Sequence, residues 1–361
     1  MAIMVYKRQG GGAEEPQRGR RRDEVDWLLL ESVVRHPDDL VPFVSRQTGL
    51  SRQALNKRVA ALVAEGTLEA TGATRARTYR WRPVVRVAVT PDLTEDSIWK
   101  HHLAPRLVDV APNVREILQF GATEMINNVI DHSDGSELIV FLRPLESEVE
   151  LQVQDDGEGL IQKLVRECSF EDARQALLEL SKGKLTTDPT RHSGEGIFFT
   201  SRMCDKFMIW SDNTCLMRIE GQGFDLTEVA EPRPGTTVRM IVQRDTERTT
   251  REVFEQYASE ASDYGFTSTS ISVNLARDAG DALLSRSQAR RLLARLDEFE
   301  EVHLDFRNVE SIGPAFADEI FRIFVREHPR VRLTWGNASD QVEKMIGKAE
   351  RARMAEEGSE P

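Results

Sequence analysis

A strand that ends in a glycine-rich acidic loop is the strongest structural signal in this chain of 361 residues. Residues 138–142 and 149–153 alternate as two paired strands, and the second runs directly into Asp155–Gly159, with the sequence DDGEG. Such a break presents a carboxylate at the rim of a pocket, and its glycines let a flat ring approach the backbone closely. The loop therefore predicts a ligand pocket.

A long amphipathic helix is predicted just before these strands, over residues 113–133. Glu124, Asn128 and His132 share one stripe of this helix, because they are spaced at i, i+4 and i+8. A carboxylate can orient water or a hydroxyl, and an amide oxygen can reach Mg²⁺, so this stripe suits a metal-bound phosphate chain. An exposed polar helix face gives the same triplet, so the triplet alone leaves both interpretations open.

Two further glycine turns follow along the chain. Gly194–Gly196 opens a helix, and the amides of a helix start suit phosphate oxygens. Gly235 and Thr236 begin a strand over residues 238–242. The segment between the loop and the first turn is rich in lysine and threonine, and we expect Lys184 either to contact a γ-phosphate or to face solvent.

Taken in their order along the chain, the helix stripe, the acidic loop and the two glycine turns resemble the motifs of the GHKL family of ATPases and kinases. This family includes histidine-kinase catalytic domains, gyrase B-type ATPases and anti-sigma serine kinases. The resemblance covers residues 110–245 and implies a Bergerat-type α/β sandwich that binds ATP and Mg²⁺. It implies that Glu124 is the general base and that Asn128 coordinates Mg²⁺. It also implies two sets of ATP contacts: Asp155, Gly157, Gly159 and Thr236 around adenine, and Lys184, Gly194 and Gly196 along the phosphates.

The N-terminal region predicts a different kind of site. Residues 23–82 show the pattern of three short helices and a β-hairpin, which is typical of a winged helix-turn-helix. Residues 51–82 hold seven basic and two acidic side chains, although the whole chain has a net charge of −12. The predicted contacts to double-stranded DNA are Ser51, Arg52, Gln53, Asn56 and Lys57 on the third helix, and Arg75 and Arg77 on the wing. A winged helix used only for protein contacts is the alternative.

The C-terminal region alternates strands and helices, which predicts a small α/β domain. Residues 302–313 resemble the STAS fold of anti-sigma antagonists, and residues 313–321 resemble a STAS-like domain of unknown function that is found fused to GHKL ATPases. In STAS antagonists, a GHKL kinase phosphorylates a serine that opens the following helix. Pro314 and Ala315 occupy the corresponding positions here, and Ser311 lies a few residues earlier.

The expected fold class is α/β in an α+β multidomain arrangement. The predicted order is a disordered basic tail (1–22), a winged helix (23–82), a connector strand and helix (83–110), a GHKL ATP-binding domain (111–246), a helical linker (247–268), a STAS-like domain (269–348) and a disordered tail (349–361). No apolar run is long enough for a membrane helix, and residues 1–22 lack the apolar core of a signal peptide. We therefore expect a cytoplasmic protein without membrane contact.

Three functions remain open at this point. The first is an ATP-responsive transcriptional regulator. In it, Mg-ATP binding or slow hydrolysis controls either the binding of DNA or the docking of the STAS-like domain. The docking site of that domain is the ATPase or a regulatory protein partner. The second is an anti-sigma-type serine/threonine kinase that acts on a partner protein or on Ser311. The third is a scaffold with a degenerate pocket, against which the intact Asn128 and Asp155 count. Sequence does not separate water from a hydroxyl as the phosphoryl acceptor, and it leaves a homodimer open.

Overall fold

The computed structural model describes residues 25–26, 28–30, 32–33, 36–73, 77–186, 193–259, 265–277 and 282–357. The fold is mixed α/β, as predicted, and it contains two compact units. The first unit takes in the described residues before Val84 together with Arg143–Val149 and Gln243–Asp245, and the second takes in the rest. The predicted tail 1–22 lies outside the described residues.

The described part of the first unit contains helical residues near its start, two further helices joined by a turn, and a β-hairpin. Residues 25–26, 28–30 and 32–33 are helical, and they precede α1 (Leu40–Thr48), α2 (Arg52–Ala64), β1 (Leu68–Thr71) and β2 (Thr78–Trp81). Gly49 ends α1 in the left-handed conformation, and the Ser51 hydroxyl caps α2 by accepting the amide of Ala54 at 3.2 Å. The strands β1 and β2 pair antiparallel. This is the order of elements that the sequence predicts, built on a core of leucine and valine side chains.

The second unit contains most of a five-stranded sheet. Its strands are β3 (Val85–Ala88), β4 (Glu137–Pro144), β5 (Glu148–Asp155), β6 (Lys206–Ile219) and β7 (Gly223–Gln243), in the spatial order β3-β4-β5-β7-β6. The predicted connector strand is thus the edge strand β3, which pairs antiparallel with β4.

Helices accompany this sheet in the second unit. They are α3 (Glu95–Ile98), α4 (Pro112–His132), α5 (Leu160–Glu167), α6 (Ala173–Lys182) and α7 (Gly196–Met203). Between α3 and α4 the chain forms a π-helical turn (Trp99–Leu103) and a 3₁₀ turn (Ala104–Arg106). The longest of these helices, α4, buries one face through Ile117, Leu118, Met125 and Ile126 among others. Its polar stripe therefore lies beside a firmly packed face.

The C-terminal part of the second unit begins with α8 (Thr250–Tyr257) and a small pair of strands, β8 (Ala258–Ser259) and β9 (Gly265–Phe266). The elements that follow are β10 (Ser268–Ser272), a 3₁₀ turn (Val273–Ala276), α9 (Arg286–Leu293), a 3₁₀ turn (Leu296–Glu298), β11 (Glu301–Asp305), α10 (Pro314–Asp318), β12 (Arg332–Gly336) and α11 (Asp340–Glu357). The helix α10 continues as a π-helical stretch (Glu319–Phe324) and a last α turn (Val325–Glu327). Strands β10, β11 and β12 are parallel neighbours, so helical crossovers join them, as predicted for a small α/β domain.

Two predicted segments differ from the structure. The expected helical linker 247–268 contains the strands β8 and β9 besides α8. Disorder was expected from residue 349, but α11 continues to Glu357. The sequence here is rich in alanine, glutamate and arginine, which favour helix. Glu356 also pairs with Arg322 at 3.1 Å and with Arg326 at 3.4 Å, so α11 is tied to the helical stretch that follows α10.

Candidate functional site

The polar stripe of α4 lies at the border of the packed helix face. Glu124, Asn128 and His132 are all partly buried. The side chain of Asn128 forms no hydrogen bond with another described residue, so its amide oxygen can accept a ligand contact. Lys163 of α5 donates to the carbonyl of His132 at 2.9 Å and to the carboxylate of Asp134 at 2.6 Å, which holds the end of α4 in place.

Asp155 lies at the end of β5, and the residue as a whole is 4% exposed. Its Oδ1 accepts two backbone amides, from Gly157 at 2.9 Å and from Thr236 at 3.1 Å. The Oδ2 atom accepts no hydrogen bond among the described residues. Burial raises the pKa of Asp155, and the two amide bonds oppose that rise. The arrangement leaves the Oδ2 oxygen of this largely buried residue able to accept an external donor.

Two neighbours shape the space around this carboxylate. The hydroxyl of Thr236 accepts the amide of Leu160 at 2.8 Å, which joins the start of α5 to β7. A Cβ atom on Gly157 would overlap the carbonyl oxygen of Ser133, directly after α4. Gly157 therefore allows the loop to lie against the end of α4, and Gly159 follows as the residue before α5.

The adjacent aspartate, Asp156, has a different role that sequence reasoning did not identify. It accepts the amides of Ser136 at 2.7 Å and Glu137 at 2.8 Å, and the Ser136 hydroxyl at 2.6 Å. These bonds, with the Ser136 hydroxyl first, lower the pKa of Asp156. Asp156 fastens the loop to the start of β4 through both of its oxygens, whereas Asp155 keeps one oxygen without a partner among the described residues.

The glycine turn lies at the N-terminus of α7, next to α4. Gly196 is the first residue of α7, and a Cβ atom there would overlap the Glu124 carboxylate. The structure therefore brings Glu124 to the start of this helix. Burial raises the pKa of Glu195, which precedes Gly196. Gly194 has a positive φ of 70° and lies against the backbone of Leu185.

The side chain of Lys184 contacts the C-terminal part of the second unit. Its ammonium donates to the carbonyl of Glu298 at 2.8 Å and lies 4.5 Å from the ring centroid of Phe299. Burial lowers the pKa of Lys184, and Glu298 and Glu195 oppose this. The ammonium of Lys184 is thus held at the surface by Glu298 and Phe299, and it lies within electrostatic range of Glu195 in the glycine turn. Arg191, a basic residue shortly before the glycine turn in the sequence, lies outside the described residues.

The predicted DNA-contacting residues lie on the surface of the first unit. Ser51, Arg52, Gln53, Asn56 and Lys57 are exposed at the front of α2, and Arg77 is exposed before β2. The hydroxyl of Ser51 is engaged as the helix cap, and the guanidinium of Arg77 lies 5.6 Å from the ring centroid of Tyr79. Arg75 lies outside the described residues.

One basic residue of this region is not part of that surface. Arg58 forms an ion pair with Asp26, which is fully buried, and a second one with Glu65 at 3.6 Å. The i, i+3 spacing from Leu55 would have indicated that residue 58 lies near the buried face. The charge available to a ligand is therefore smaller than the residue count in 51–82 suggests.

Comparison with known proteins identifies one part of the chain. Residues 288–343 match a family described as a STAS-like domain of unknown function (DUF4325). No curated protein matches the chain. None of the helices in the described part of the chain is both long enough and apolar enough to cross a membrane. The match covers α9, β11, α10 and β12 and the start of α11, so the C-terminal α/β region is STAS-like.

Proposed function

We propose that the second unit binds Mg-ATP in a GHKL-type pocket and that this protein is an ATP-responsive transcriptional regulator of the cytoplasm. The observation that carries the proposal is the carboxylate of Asp155, whose Oδ1 is held by two backbone amides while Oδ2 has no partner among the described residues. An amino group on a flat heterocycle supplies the donor that such an oxygen lacks. Adenine carries that amino group.

The donor set also fits a nucleotide with its metal. Asn128 offers a neutral amide oxygen, and Mg²⁺ typically takes one or two protein oxygens together with phosphate oxygens and water. The N-terminus of α7 offers amides and the positive end of a helix dipole. Bound Mg²⁺ would neutralise the charge on the phosphates, and the residues themselves would position the reacting groups.

Glu124 is the general base in this proposal. Its carboxylate lies against Gly196, where the phosphate chain would meet α7. From there it would accept a proton from an attacking water molecule, while Asn128 would orient the metal-bound phosphates. Positioning and charge neutralisation account for most of phosphoryl-transfer catalysis.

The first unit supplies the regulatory output in this proposal. Arg52, Gln53, Asn56 and Lys57 are exposed together at the front of α2, where a recognition helix meets the major groove. Binding of double-stranded DNA through about five phosphates gives a log–log salt slope near −4 to −5. Titration of the full chain with duplex DNA at several salt concentrations measures this slope, and the absence of salt-dependent binding would refute the DNA interaction.

A serine/threonine kinase that acts on a partner protein is the second candidate, because the Glu124 carboxylate could equally deprotonate a hydroxyl. Incubation of the full chain with γ-labelled ATP separates the alternatives. Free phosphate supports an ATPase, labelled protein supports a kinase, and nucleotide binding without turnover supports a binding switch. Absence of ATP binding would refute the proposed site.

A further inference from the structure

The residues that lead from α6 towards the glycine turn are held by the C-terminal part of the same unit. We call Lys182–Leu185 the connecting segment. The Thr269 hydroxyl donates to the carbonyl of Lys182 at 2.8 Å, and Arg295 Nη2 donates to the carbonyl of Lys184 at 2.8 Å. Lys184 in turn donates to the carbonyl of Glu298. The backbone of the connecting segment is therefore fixed from outside α6.

A buried ionic cluster strengthens this contact. Lys182 is fully buried, and its ammonium donates to Glu179 at 2.6 Å and to the carbonyl of Ala294, at the end of α9, at 2.7 Å. Arg295 Nη1 lies 3.4 Å from the other oxygen of Glu179. Removing Glu179 would leave the buried ammonium of Lys182 without its carboxylate partner, and removing either cation would leave Glu179 with only one. The ends of α6 and α9 are thus joined by contacts that are costly to break.

The connecting segment touches the glycine turn directly. A Cβ atom on Gly194 would lie 2.5 Å from the carbonyl oxygen of Leu185. On its other side, a Cβ atom on Gly183 would lie 2.6 Å from the ring of Phe266, next to β10. Close-packed interiors transmit displacements because they have little free space to absorb them. A shift of Arg295 therefore reaches Gly194 through Lys184 and Leu185.

We propose that the STAS-like domain, through Arg295, positions the glycine turn Gly194–Gly196 for phosphate binding and thereby raises the affinity of the pocket for ATP. This inference rests on the proposed function of the pocket. Arg295 is a positioning residue that acts through the connecting segment. With the segment already ordered, less conformational entropy is lost when the nucleotide binds. By linkage, bound nucleotide strengthens the contact between α6 and α9 to the same extent.

The test compares Arg295→Ala with Arg290→Ala in the full chain. Arg290 also lies in the STAS-like region and pairs with a carboxylate, that of Glu319 at 2.7 Å, but it has no bond to the connecting segment. Titration with Mg-ATP should give a Kd about 10-fold higher for Arg295→Ala, within the usual range of coupling between sites. Arg290→Ala should stay within about 2-fold of the unmodified chain, because its contacts are remote from the turn.

Two less disruptive variants test the same role in case Arg295→Ala does not fold. Glu298→Ala removes the carboxylate that holds Arg295 Nη2 at 2.9 Å and Nε at 3.0 Å, and it should raise the Kd about 3-fold. Arg295→Lys keeps the charge but loses the fork of donors, so its Kd should lie between those of the unmodified chain and Arg295→Ala.

Hydrogen exchange without nucleotide supplies an independent measurement. Arg295→Ala should speed amide exchange in residues 183–186 and 194–199 and leave α4 unchanged. Unchanged exchange overturns the positioning role. Faster exchange with an unchanged Kd overturns the effect on affinity. If the unmodified chain binds no ATP, the proposed function fails, whereas the exchange measurement still decides whether Arg295 orders the turn.

Discussion

Replacement of Asp155 by asparagine should separate nucleotide binding from folding. Asp155→Asn keeps the Oδ1 atom that accepts the amides of Gly157 and Thr236. Burial raises the pKa of this carboxyl, so its ionisation is less favourable in the folded chain than in the unfolded one. The contribution of this group to the free energy of unfolding is therefore fully present below its ordinary pKa. It is lost as pH rises through the higher pKa of the folded chain. At neutral pH the asparagine removes that cost, so the melting temperature should stay unchanged or rise slightly.

The effect on ATP should be large. The Oδ2 atom, which has no partner among the described residues, becomes an amino group that faces the adenine amino group. A hydrogen bond to a charged group contributes about 1.5–3 kcal/mol. This corresponds to an increase in Kd of about 10- to 150-fold. Asp155→Ala should behave differently, because it also leaves two amides unpaired and should cost about 1–3 kcal/mol of folding stability for each.

The assay is titration of both chains with Mg-ATP and Mg-inosine triphosphate, with thermal melting as the control for folding. Inosine triphosphate carries an oxygen in place of the adenine amino group, so the unmodified chain should prefer ATP and Asp155→Asn should lose that preference. Equal affinity of the unmodified chain for both nucleotides, or ATP binding by Asp155→Asn at the unmodified affinity, would refute the role of Oδ2.

Three further predictions concern catalysis, DNA and stability. Glu124→Gln should abolish phosphate release and leave the ATP Kd within about 3-fold, because it removes a base and keeps the side-chain shape; retained turnover contradicts the assignment. Lys57→Ala should make the salt slope of duplex binding shallower by about 1, measured by fluorescence anisotropy, and an unchanged slope places Lys57 outside the interface. Lys182→Met should lower the free energy of unfolding by about 1.5–3 kcal/mol in denaturant titration, since the buried Glu179 loses a charged hydrogen bond and keeps only Arg295 as a partner. Burial lowers the pKa of Lys182 to about 8 from 10.5. The free energy of unfolding of the unmodified chain should therefore increase as pH rises from about 8 to 10.5, and Lys182→Met should lack this increase.

Local patterns were sufficient to predict much of the candidate site. The spacing of Glu124 and Asn128 placed both on one helix stripe, and the structure has them on α4. This stripe follows from helix periodicity, which is a property of short segments. The sequence predicts that Gly157 admits a flat ring and Gly196 a phosphate, whereas the close approaches found there are those of Ser133 and Glu124.

Contacts between distant segments were beyond the reach of such patterns. Asp155 and Asp156 are the same residue type at adjacent positions. Asp156 accepts hydrogen bonds from Ser136 and Glu137, while Asp155 retains an oxygen without a partner among the described residues. The sequence predicts Arg58 as one of the available basic side chains, whereas in the structure it is paired with the buried Asp26. Each difference depends on residues more than fifteen positions away along the chain.

The sequence by itself determined the types of elements, their order and the residues at each turn, because these depend on periodicity and on local backbone preference. Only the tertiary structure decided which charges are available for ligands and which hold the chain together. Lys184 illustrates the reason: its ammonium is bound to the carbonyl of Glu298, which is remote in sequence. Burial and pairing set the chemistry of a charged side chain, and both arise when distant segments meet.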